Sequence, residues 1–455
     1  MNFQKEIEEN LMPMVQAIAD QCKIDSVEAA PLEGMPFGEG AAKALQSFLA
    51  VGKEMGFETE NFDNYVGHID FGDQDEMIGI LGHVDVVPVG EGWEVDPFGG
   101  VIKDGAVWGR GTMDDKGPMM VCLYAMKILK EKGVKLNKKV RMIIGTNEET
   151  NWGCMDYYLN TVKPKYPVAS FSPDAAFPVT YAEKGIYQYE LVKNVDTKVE
   201  ISGGNAFNAV PSIAEAYVPG VSKEAVEKAA AELTFGCTFD ICEEREGVKI
   251  VSHGVGCHAA ELHDGVNAVS GLMELLSHLG LEGDIAAYLD FYQKYIGTTI
   301  FAEKVGLDSE DESGHQTLNV GKLTLKDGRA SLCCDMRIPV TNKLEPVVDR
   351  IKEIAAKEGM EYIQGSAEAP LYIPKDSELV QTLMQTYIDV TGDVNAKPIT
   401  AGGGTYSRCL NNCVAFGTML PHQVDRMHQA NERVDIADLK TSLEIMCEAI
   451  YRLAK

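Results

Sequence analysis

The sequence predicts an α/β fold, in which a mostly parallel, mixed sheet has helices on both faces and carries a large inserted α+β domain. Short apolar runs bounded by turn residues alternate with helix-like segments, and such runs are typical of strands buried on both faces. Several of the runs end directly in His, Asp or Glu. A middle region, roughly 184–373, alternates strand-like and helix-like stretches and contains few such residues.

Four apolar runs form the predicted sheet, and polar side chains follow each of them. The runs are MIGILGHVD, VRMIIGTNEE, VASFSPD and CVAFGTML, and the residues that follow include His83, Glu148, Asp174 and His428. Ligands of open α/β sheets bind beyond the carboxyl ends of the strands. We therefore expect these side chains to converge on one site.

Helix-like segments fill the gaps between these runs. MVCLYAMKILKEKG and SELVQTLMQTYIDVTG repeat apolar residues every three or four positions and end at Gly133 and Gly392, which are helix stop signals. The last segment, DIADLKTSLEIMCEAIYRLA, begins with Asp435 as a candidate N-cap. The middle region is interpreted as a domain inserted into the first, which gives domain boundaries of 1–183, 184–373 and 374–455.

Composition excludes several classes of function. The 455 residues include 41 Lys and Arg against 69 Asp and Glu, a net charge of −28 that disfavours nucleic acid and anionic membranes as partners. The N-terminus lacks the pattern of a secretory signal, and the eleven cysteines are scattered without zinc-finger spacing. We expect a cytoplasmic protein with reduced thiols, whose metal ligands, if any, are His and carboxylates.

Three short motifs carry candidate metal ligands. His83 and Asp85 share a face of an extended segment, so the Asp can accept the imidazole N–H that faces away from a metal. In GRGTMDDKGP, Asp114 or its neighbour could bridge two cations, or the pair could form a solvated turn. In TNEETNWG, Glu148 and Glu149 point apart if the backbone is extended, so one could coordinate and the other handle a proton; the alternative is an exposed acidic loop.

Asp174 in SPDAAFP and His428 in MHQANER complete the set. Two His, three carboxylate ligands and a spare Glu are what a pair of divalent cations about 3.5–4 Å apart would require. Zinc accepts such ligands, and manganese and cobalt compete for them.

These motifs resemble one metallopeptidase group. The sequence is similar to the co-catalytic zinc superfamily of carboxypeptidase G, acetylornithine deacetylase, succinyl-diaminopimelate desuccinylase and carnosinase, and within it to the PepV-type dipeptidases. The resemblance extends in order from about residue 80 to 432 and is carried by GHVDVVP, GRGTMDDKGP, TNEETNWGCMDYY, SPDAAFPV, GGNAFNAVP, GCHAAELHDGVNA, CDMRIPV, AGGGTYSR and HQANE.

The resemblance implies roles for the residues of the predicted site. Two divalent cations per chain are implied, with zinc first and manganese or cobalt as alternatives. The implied ligands are His83 and Asp174 for one metal, Glu149 and His428 for the other, and Asp114 as the bridge. It also implies that Asp85 orients His83, that Glu148 is the general base, and that the Asp114–Asp115 peptide is cis.

The insert is implied to be a lid that contacts the substrate. His258 would support the reacting carbonyl together with Asn208, although His263 is a rival for that role. Arg337 would bind the carboxylate of the substrate, or else be a surface cation on a strand. Gly403 and Thr405 of AGGGTYSR would lie near the same carboxylate. Dimeric relatives have a lid of roughly half this size, so a monomer could supply its own lid histidine in cis.

The implied activity is hydrolysis of dipeptides with a free C-terminal carboxylate by metal-activated water. An N-acyl amino-acid deacylase or desuccinylase on the same scaffold is the alternative, and the metal ligands do not separate the two. A catalytically inactive binding protein is disfavoured, because every metal position holds a competent ligand and Glu148 is present.

Overall fold

The computed structural model describes all 455 residues and divides into two compact units. The first unit comprises Met1–Tyr181, Ile373–Ile399 and Thr405–Lys455, and the second comprises Ala182–Tyr372 and Thr400–Gly404. None of the helices combines the length and the apolar character that crossing a lipid bilayer requires.

The chain forms ten α-helices and twenty-four strands. The helices are α1 (Gln4–Cys22), α2 (Glu39–Glu54), α3 (Lys116–Glu131), α4 (Gly153–Tyr157), α5 (Lys223–Glu232), α6 (Ala268–Ser277), α7 (Asp284–Tyr295), α8 (Leu344–Lys357), α9 (Glu378–Thr391) and α10 (Ile436–Ala454). The strands are β1 (Glu58–Phe62), β2 (Val66–Phe71), β3 (Met77–His83), β4 (Val101–Lys103), β5 (Ala106–Trp108), β6 (Lys139–Gly145), β7 (Ala169–Ser172), β8 (Ala175–Ala176), β9 (Thr180–Glu183), β10 (Gly185–Asn194), β11 (Glu200–Gly203), β12 (Ile213–Pro219), β13 (Thr238–Glu244), β14 (Gly247–His253), β15 (Glu310–Asp311), β16 (Gly314–His315), β17 (Thr317–Lys326), β18 (Arg329–Ile338), β19 (Glu361–Glu368), β20 (Leu371–Tyr372), β21 (Ile399–Ala401), β22 (Cys413–Ala415), β23 (Thr418–Met419) and β24 (Arg433–Asp435).

The sheet of the first unit is mixed, with a parallel centre. Strands β1, β2, β6, β3, β7 and β22 lie side by side in that order. The pairs β6–β3, β3–β7 and β7–β22 are parallel, whereas β1–β2 and β2–β6 are antiparallel. The predicted α/β class, with its mostly parallel mixed sheet, is confirmed.

Helices cover both faces of this sheet, because successive side chains of a strand point to opposite sides. On one face Leu81 of β3 packs in a buried cluster with Ala41 of α2 and Met155 of α4. On the other face Gly82 lies so close to Met119 of α3 that an added Cβ would come within 2.5 Å of its sulfur. The strand is therefore buried throughout, as its uninterrupted apolar run predicts.

The helix ends follow the predicted signals in two cases and differ in one. Helix α9 begins where the Ser377 hydroxyl accepts the N–H of Val380 and ends at Gly392, whose φ of +76° suits a residue without a Cβ. Gly133, with φ +66°, follows the end of α3. Asp435 occupies the N-cap position of α10, but its side chain makes no capping hydrogen bond.

The second unit contains one continuous antiparallel sheet. Its eight strands lie in the order β13, β14, β12, β11, β17, β18, β10, β19. Helix α6 packs on β12, β14 and β17, and α8 packs on β10 and β19. Cys333 and Cys334 of β18 are both buried.

Candidate metal centre

The sheet of the first unit brings three of the predicted segments to one edge. His83 is the last residue of β3 and pairs in register with Gly145, the last residue of β6, so the loop with Glu148 and Glu149 starts beside it. Asp174 follows the end of β7, which pairs with β3 from the other side. The shared carboxyl edge of parallel strands is thus the reason these residues converge.

The ligand atoms of the five predicted metal residues lie within a few ångströms of one another. His83 Nε2 is 3.1 Å from Asp114 Oδ1 and 3.6 Å from Asp174 Oδ2. His428 Nε2 is 2.9 Å from Asp114 Oδ2 and 3.1 Å from Glu149 Oε2. Two overlapping groups therefore have cation-binding geometry, namely His83, Glu148 and Asp174, and His83, Asp114 and Glu149.

Asp85 lies beside His83 but is not its main hydrogen-bond acceptor. The Nδ1 of His83 is 3.1 Å from the main-chain carbonyl oxygen of Asp85, with which it forms a hydrogen bond, and 3.3 Å from the carboxylate Oδ1. The other oxygen, Oδ2, accepts the N–H of Glu149 at 3.1 Å. Asp85 therefore fixes the imidazole ring and also ties the loop after β6 to the end of β3.

Glu148 and Glu149 lie in a turn and not in extended backbone. In a turn, unlike in extended backbone, neighbouring side chains need not point to opposite sides, so the expected separation of the two carboxylates is wrong. Both carboxylates instead reach the same cluster, Glu148 beside His83 and Asp174, and Glu149 beside Asp114 and His428.

The Asp114–Asp115 peptide is cis, which confirms the expectation drawn from the resemblance. The two neighbouring carboxylates have different surroundings. Asp114 contacts His83 and His428, whereas Asp115 Oδ2 accepts the main-chain N–H of His83 at 3.0 Å. Asp115 thus anchors the end of β3.

Burial and mutual repulsion dominate the electrostatics of the cluster. Burial, reinforced by the negative charges of neighbouring carboxylates, raises the pKa of Glu148 well above its usual range and that of Glu149 to about 7. The pKa of His428 rises to about 11, because the carboxylates of Asp114 and, to a smaller extent, Glu149 hydrogen-bond to its ring and stabilise the protonated form. So many acidic groups in one buried place require compensation by positive charge.

The residues present fit a pair of divalent cations. His83 Nε2 and Asp114 Oδ1 are buried and have no hydrogen-bond partner of acceptable geometry, although they are close to each other. Their neighbours are imidazole nitrogens and carboxylate oxygens, the donors that zinc, manganese and cobalt accept. Bound cations would neutralise the carboxylates and satisfy these atoms.

Sequence reasoning missed three buried residues around the site, although each lies in or next to a recognised motif. Lys116 donates to the carbonyl oxygens of Gln21 and Ile24, and burial lowers the pKa of its ammonium group to about 8. The ring of Tyr406 lies 6.0 Å from that of His83. Glu432, four residues after His428, accepts several hydrogen bonds from the segment before Asp114.

The second unit contains four of the predicted substrate contacts, and two of them lie side by side. Ala209 and His258 form a β-bridge, and the N–H of Ala259 donates to the carbonyl oxygen of Asn208 at 2.9 Å. The Nδ1 of His258 accepts the N–H of Ala260 at 3.1 Å. His263 lies nearby in the sequence, with its ring 6.0 Å from that of Phe301.

Arg337 is buried on β18 and makes close polar contacts. Its Nε and Nη2 donate to the two carboxylate oxygens of Asp335 at 2.7 and 3.2 Å, and Nη1 donates to the carbonyl oxygen of Gly402 at 2.9 Å. This brings Arg337 next to the glycine segment that contains Gly403. Thr405 belongs to the first unit, where its hydroxyl accepts the N–H of Ser407.

Comparison with known proteins identifies the family. Residues 79–452 match the profile of peptidase family M20/M25/M40, which covers most of the chain. The chain belongs to this peptidase family. The matched range includes every residue of the candidate metal cluster. The resemblance seen in the motifs is confirmed, and so is the assignment as a metallopeptidase.

Curated relatives and solved structures agree with the family. "Putative dipeptidase YtjP" of Bacillus subtilis is 36% identical over the full length of both chains. The solved structure of the yeast dipeptidase Dug1p from Saccharomyces cerevisiae has a TM-score of 0.60 at 13% identity and covers 99% of this chain and 98% of its own. Human carnosine dipeptidase 1 has a TM-score of 0.59 at 13% identity with the same coverage. At these identities the two structures show the shared fold.

Proposed function

We propose that this protein is a two-metal dipeptidase that hydrolyses dipeptides with a free C-terminal carboxylate. One observation carries the proposal: five ligand-type side chains and an additional glutamate meet at one edge of the sheet, in a member of a peptidase family. The curated relative YtjP, which this chain matches over its full length, has a name that points to the same substrate class.

In the proposed centre, His83 and Asp174 would hold one cation, Glu149 and His428 would hold the other, and Asp114 would be shared by both. The two oxygens of Asp114 support this arrangement, because Oδ1 faces His83 and Oδ2 faces His428. We propose zinc as the metal, with manganese or cobalt as competitors for the same nitrogen and oxygen ligands. Asp85 would keep the His83 ring oriented through its carbonyl oxygen and carboxylate.

Such a cation pair, when bound, acts as a Lewis acid and lowers the pKa of water from 15.7 towards about 7. Glu148 would take a proton from the attacking water and deliver it to the leaving amine. Its burial supports this role, since a raised carboxyl pKa is matched to proton transfer near neutral pH.

We propose that residues of the second unit bind the rest of the dipeptide. Arg337 would form a fork-shaped pair with the substrate carboxylate, using the N–H groups that Asp335 and Gly402 leave available. His258 and Asn208 would stabilise the developing oxyanion, which their adjacent main-chain positions support. Gly403 and Thr405 would contact the carboxylate through the main chain and the hydroxyl.

We further propose that the chain acts as a cytoplasmic monomer that supplies its own His258. The resemblance implies that dimeric relatives have a lid roughly half the size of this one. The eight-stranded sheet of the second unit supports a lid doubled within one chain, which would let a monomer supply its own His258. The eleven free cysteines, seven of which are buried, suit a reducing compartment.

The test is metal analysis of the purified protein, followed by a substrate panel with zinc or manganese restored to the metal-free enzyme. We expect two metals per chain and metal-dependent cleavage of alanyl and β-alanyl dipeptides. Faster turnover of N-acetyl or N-succinyl amino acids would replace the dipeptidase assignment with a deacylase. Absence of stoichiometric metal in the wild-type protein would reject the two-metal centre.

A further inference from the structure

A single buried carboxylate, that of Glu432, connects two segments that are distant in the sequence. Its side chain is fully buried, and Oε1 accepts the N–H groups of Gly111 at 3.0 Å and Met113 at 2.8 Å. Oε2 accepts the guanidinium Nη1 of Arg110 at 2.5 Å. The main-chain carbonyl of Glu432 also accepts the N–H of Gly109 at 3.1 Å.

Arg110 extends the same connection. It is 1% exposed, and besides Glu432 it donates to the carbonyl oxygens of Gln429 at 3.4 Å and Pro88 at 3.3 Å. The charges of Arg110 and Glu432 therefore compensate each other inside the protein, where an unpaired charge would be unfavourable.

This network lies directly beside two of the proposed metal ligands. Met113 precedes Asp114 in the chain, and His428 precedes Gln429. The side chain of His428 is 55% exposed and its main chain has a φ of +62°, so neither tight packing nor a common backbone conformation fixes the ring. The position of His428 relative to Asp114 therefore depends on what holds the two main-chain segments together.

We propose that Glu432 and Arg110 are positioning residues that set the separation of Asp114 and His428, and thereby the affinity of the metal position that these two ligands share with Glu149. The proposal rests on the proposed two-metal centre. Neither Glu432 nor Arg110 is proposed to touch metal or substrate. The pair acts through the main chain on either side of it, as outer hydrogen bonds commonly do at metal sites.

The first test is zinc binding to metal-free Glu432→Gln, measured by competition with a chromophoric chelator. Glutamine keeps the shape and one acceptor oxygen but places an amide against Arg110 without compensating its charge. We expect one of the two zinc equivalents to bind about 10–100-fold more weakly, since loss of such supporting contacts typically has this effect. The other equivalent shares Asp114 but keeps His83 and Asp174, so it should be weakened by a clearly smaller factor, and excess zinc should restore kcat with little change in KM.

Two further variants keep the test decisive. Glu448→Gln is a matched control, because Glu448 is also buried and ion-paired, with Arg452 on α10; it should bind two zinc ions normally. Arg110→Lys keeps the positive charge but loses the planar guanidinium, so it should weaken the zinc position shared by Asp114, His428 and Glu149 by a smaller factor. If Glu432→Gln does not fold, this variant alone tests the positioning role.

The possible failures are distinguishable. If the wild-type protein binds two zinc ions and both Glu432→Gln and Arg110→Lys bind them within twofold of that affinity, the positioning role is rejected and the proposed function stands. Equal weakening of both sites, or equal weakening in Glu448→Gln, would also reject it, since the effect would then be general. A wild-type protein without metal would reject the proposed function itself.

Discussion

The Nε2 atom of His428 lies 2.9 Å from Oδ2 of Asp114, although 314 positions separate the two residues in the sequence. The other oxygen of Asp114 lies 3.1 Å from His83. One carboxylate thus stands between two imidazoles contributed by opposite ends of the first unit. This arrangement is what a carboxylate shared by two cations requires.

Replacement of Glu148 should separate catalysis from metal binding. We expect Glu148→Ala to lower kcat about 10²–10⁴-fold, the usual contribution of a general base, while metal content stays near two per chain. Steady-state kinetics and elemental analysis of the same preparation measure both quantities. Glu58→Ala, an exposed change on β1, is the control. Loss of both metals from Glu148→Ala would make this residue a ligand and not the base.

Removal of Arg337 should mainly affect recognition of the substrate carboxylate. A charge-assisted hydrogen bond contributes about 1.5–3 kcal/mol, so Arg337→Ala should raise KM for a dipeptide roughly 10–150-fold. The same variant should treat the corresponding dipeptide amide much as the wild type does, because that substrate has no carboxylate. The amide also controls for damage to the fold from leaving Asp335 unpaired, and equal losses on both substrates would contradict the proposed contact.

The metal-free protein should lose stability as the pH rises above 5. The pKa of Glu149 is raised by burial from 4.5 to about 7, so its stabilising contribution is complete below 4.5 and lost as the pH passes 7. The pKa of His428 is raised from 6.5 to about 11 by contact with Asp114 and Glu149, so its contribution is lost over that range. Both effects have the same sign.

Thermal unfolding of the metal-free protein at pH 5.5, 6.5 and 7.5 measures this effect. We expect Tm to fall across the series, and we expect added zinc to raise Tm most at pH 7.5, because metal binding displaces the same protons. Glu149→Gln should show a flatter decline. A Tm that rises with pH in the metal-free wild type would contradict the assigned directions.

If the lid acts within one chain, inactive variants should not rescue each other. Glu148→Ala and His258→Ala, each weakly active, should remain so when mixed, and light scattering should give a mass near 49.6 kDa. Recovery of about a quarter of wild-type activity on mixing would show that His258 serves a partner's site. Unfolding and refolding the mixture before the assay controls for slow exchange of subunits.

Gly82 should not tolerate a side chain. An added Cβ would come within 2.1 Å of Asp115 Oδ2 and 2.5 Å of the Met119 sulfur, so something must shift. Overpacking of this kind typically destabilises a protein by about 1–3 kcal/mol, which urea unfolding of Gly82→Ala can measure. Gly236→Ala, whose nearest contact would be 3.6 Å, is the control and should be close to neutral. Equal stability of the two variants would contradict the close approach.

Much of the centre was predictable from the sequence because its residues follow recognisable strand ends. The apolar runs before His83, Glu148 and Asp174 required buried parallel strands, and the carboxyl edge of such strands is where ligands gather. The family motifs then placed His428 and Asp114 in the same site. The helix ends at Gly133 and Gly392 were also predictable, because the positive φ that follows a helix end favours glycine at that position.

The sequence by itself thus determined the α/β class, the chemical type of the candidate metal ligands and the motifs that contain them. Only the tertiary structure decided that Glu148 and Glu149 share a turn, that the carbonyl of Asp85 is the acceptor for His83, and that Glu432 and Arg110 connect two distant segments. Periodicity and motif spacing report what a segment needs from its own backbone. A buried charge, in contrast, can be paired by any segment that packs against it. The sequence does not identify that segment, because residues far apart in the chain can be neighbours in the folded protein.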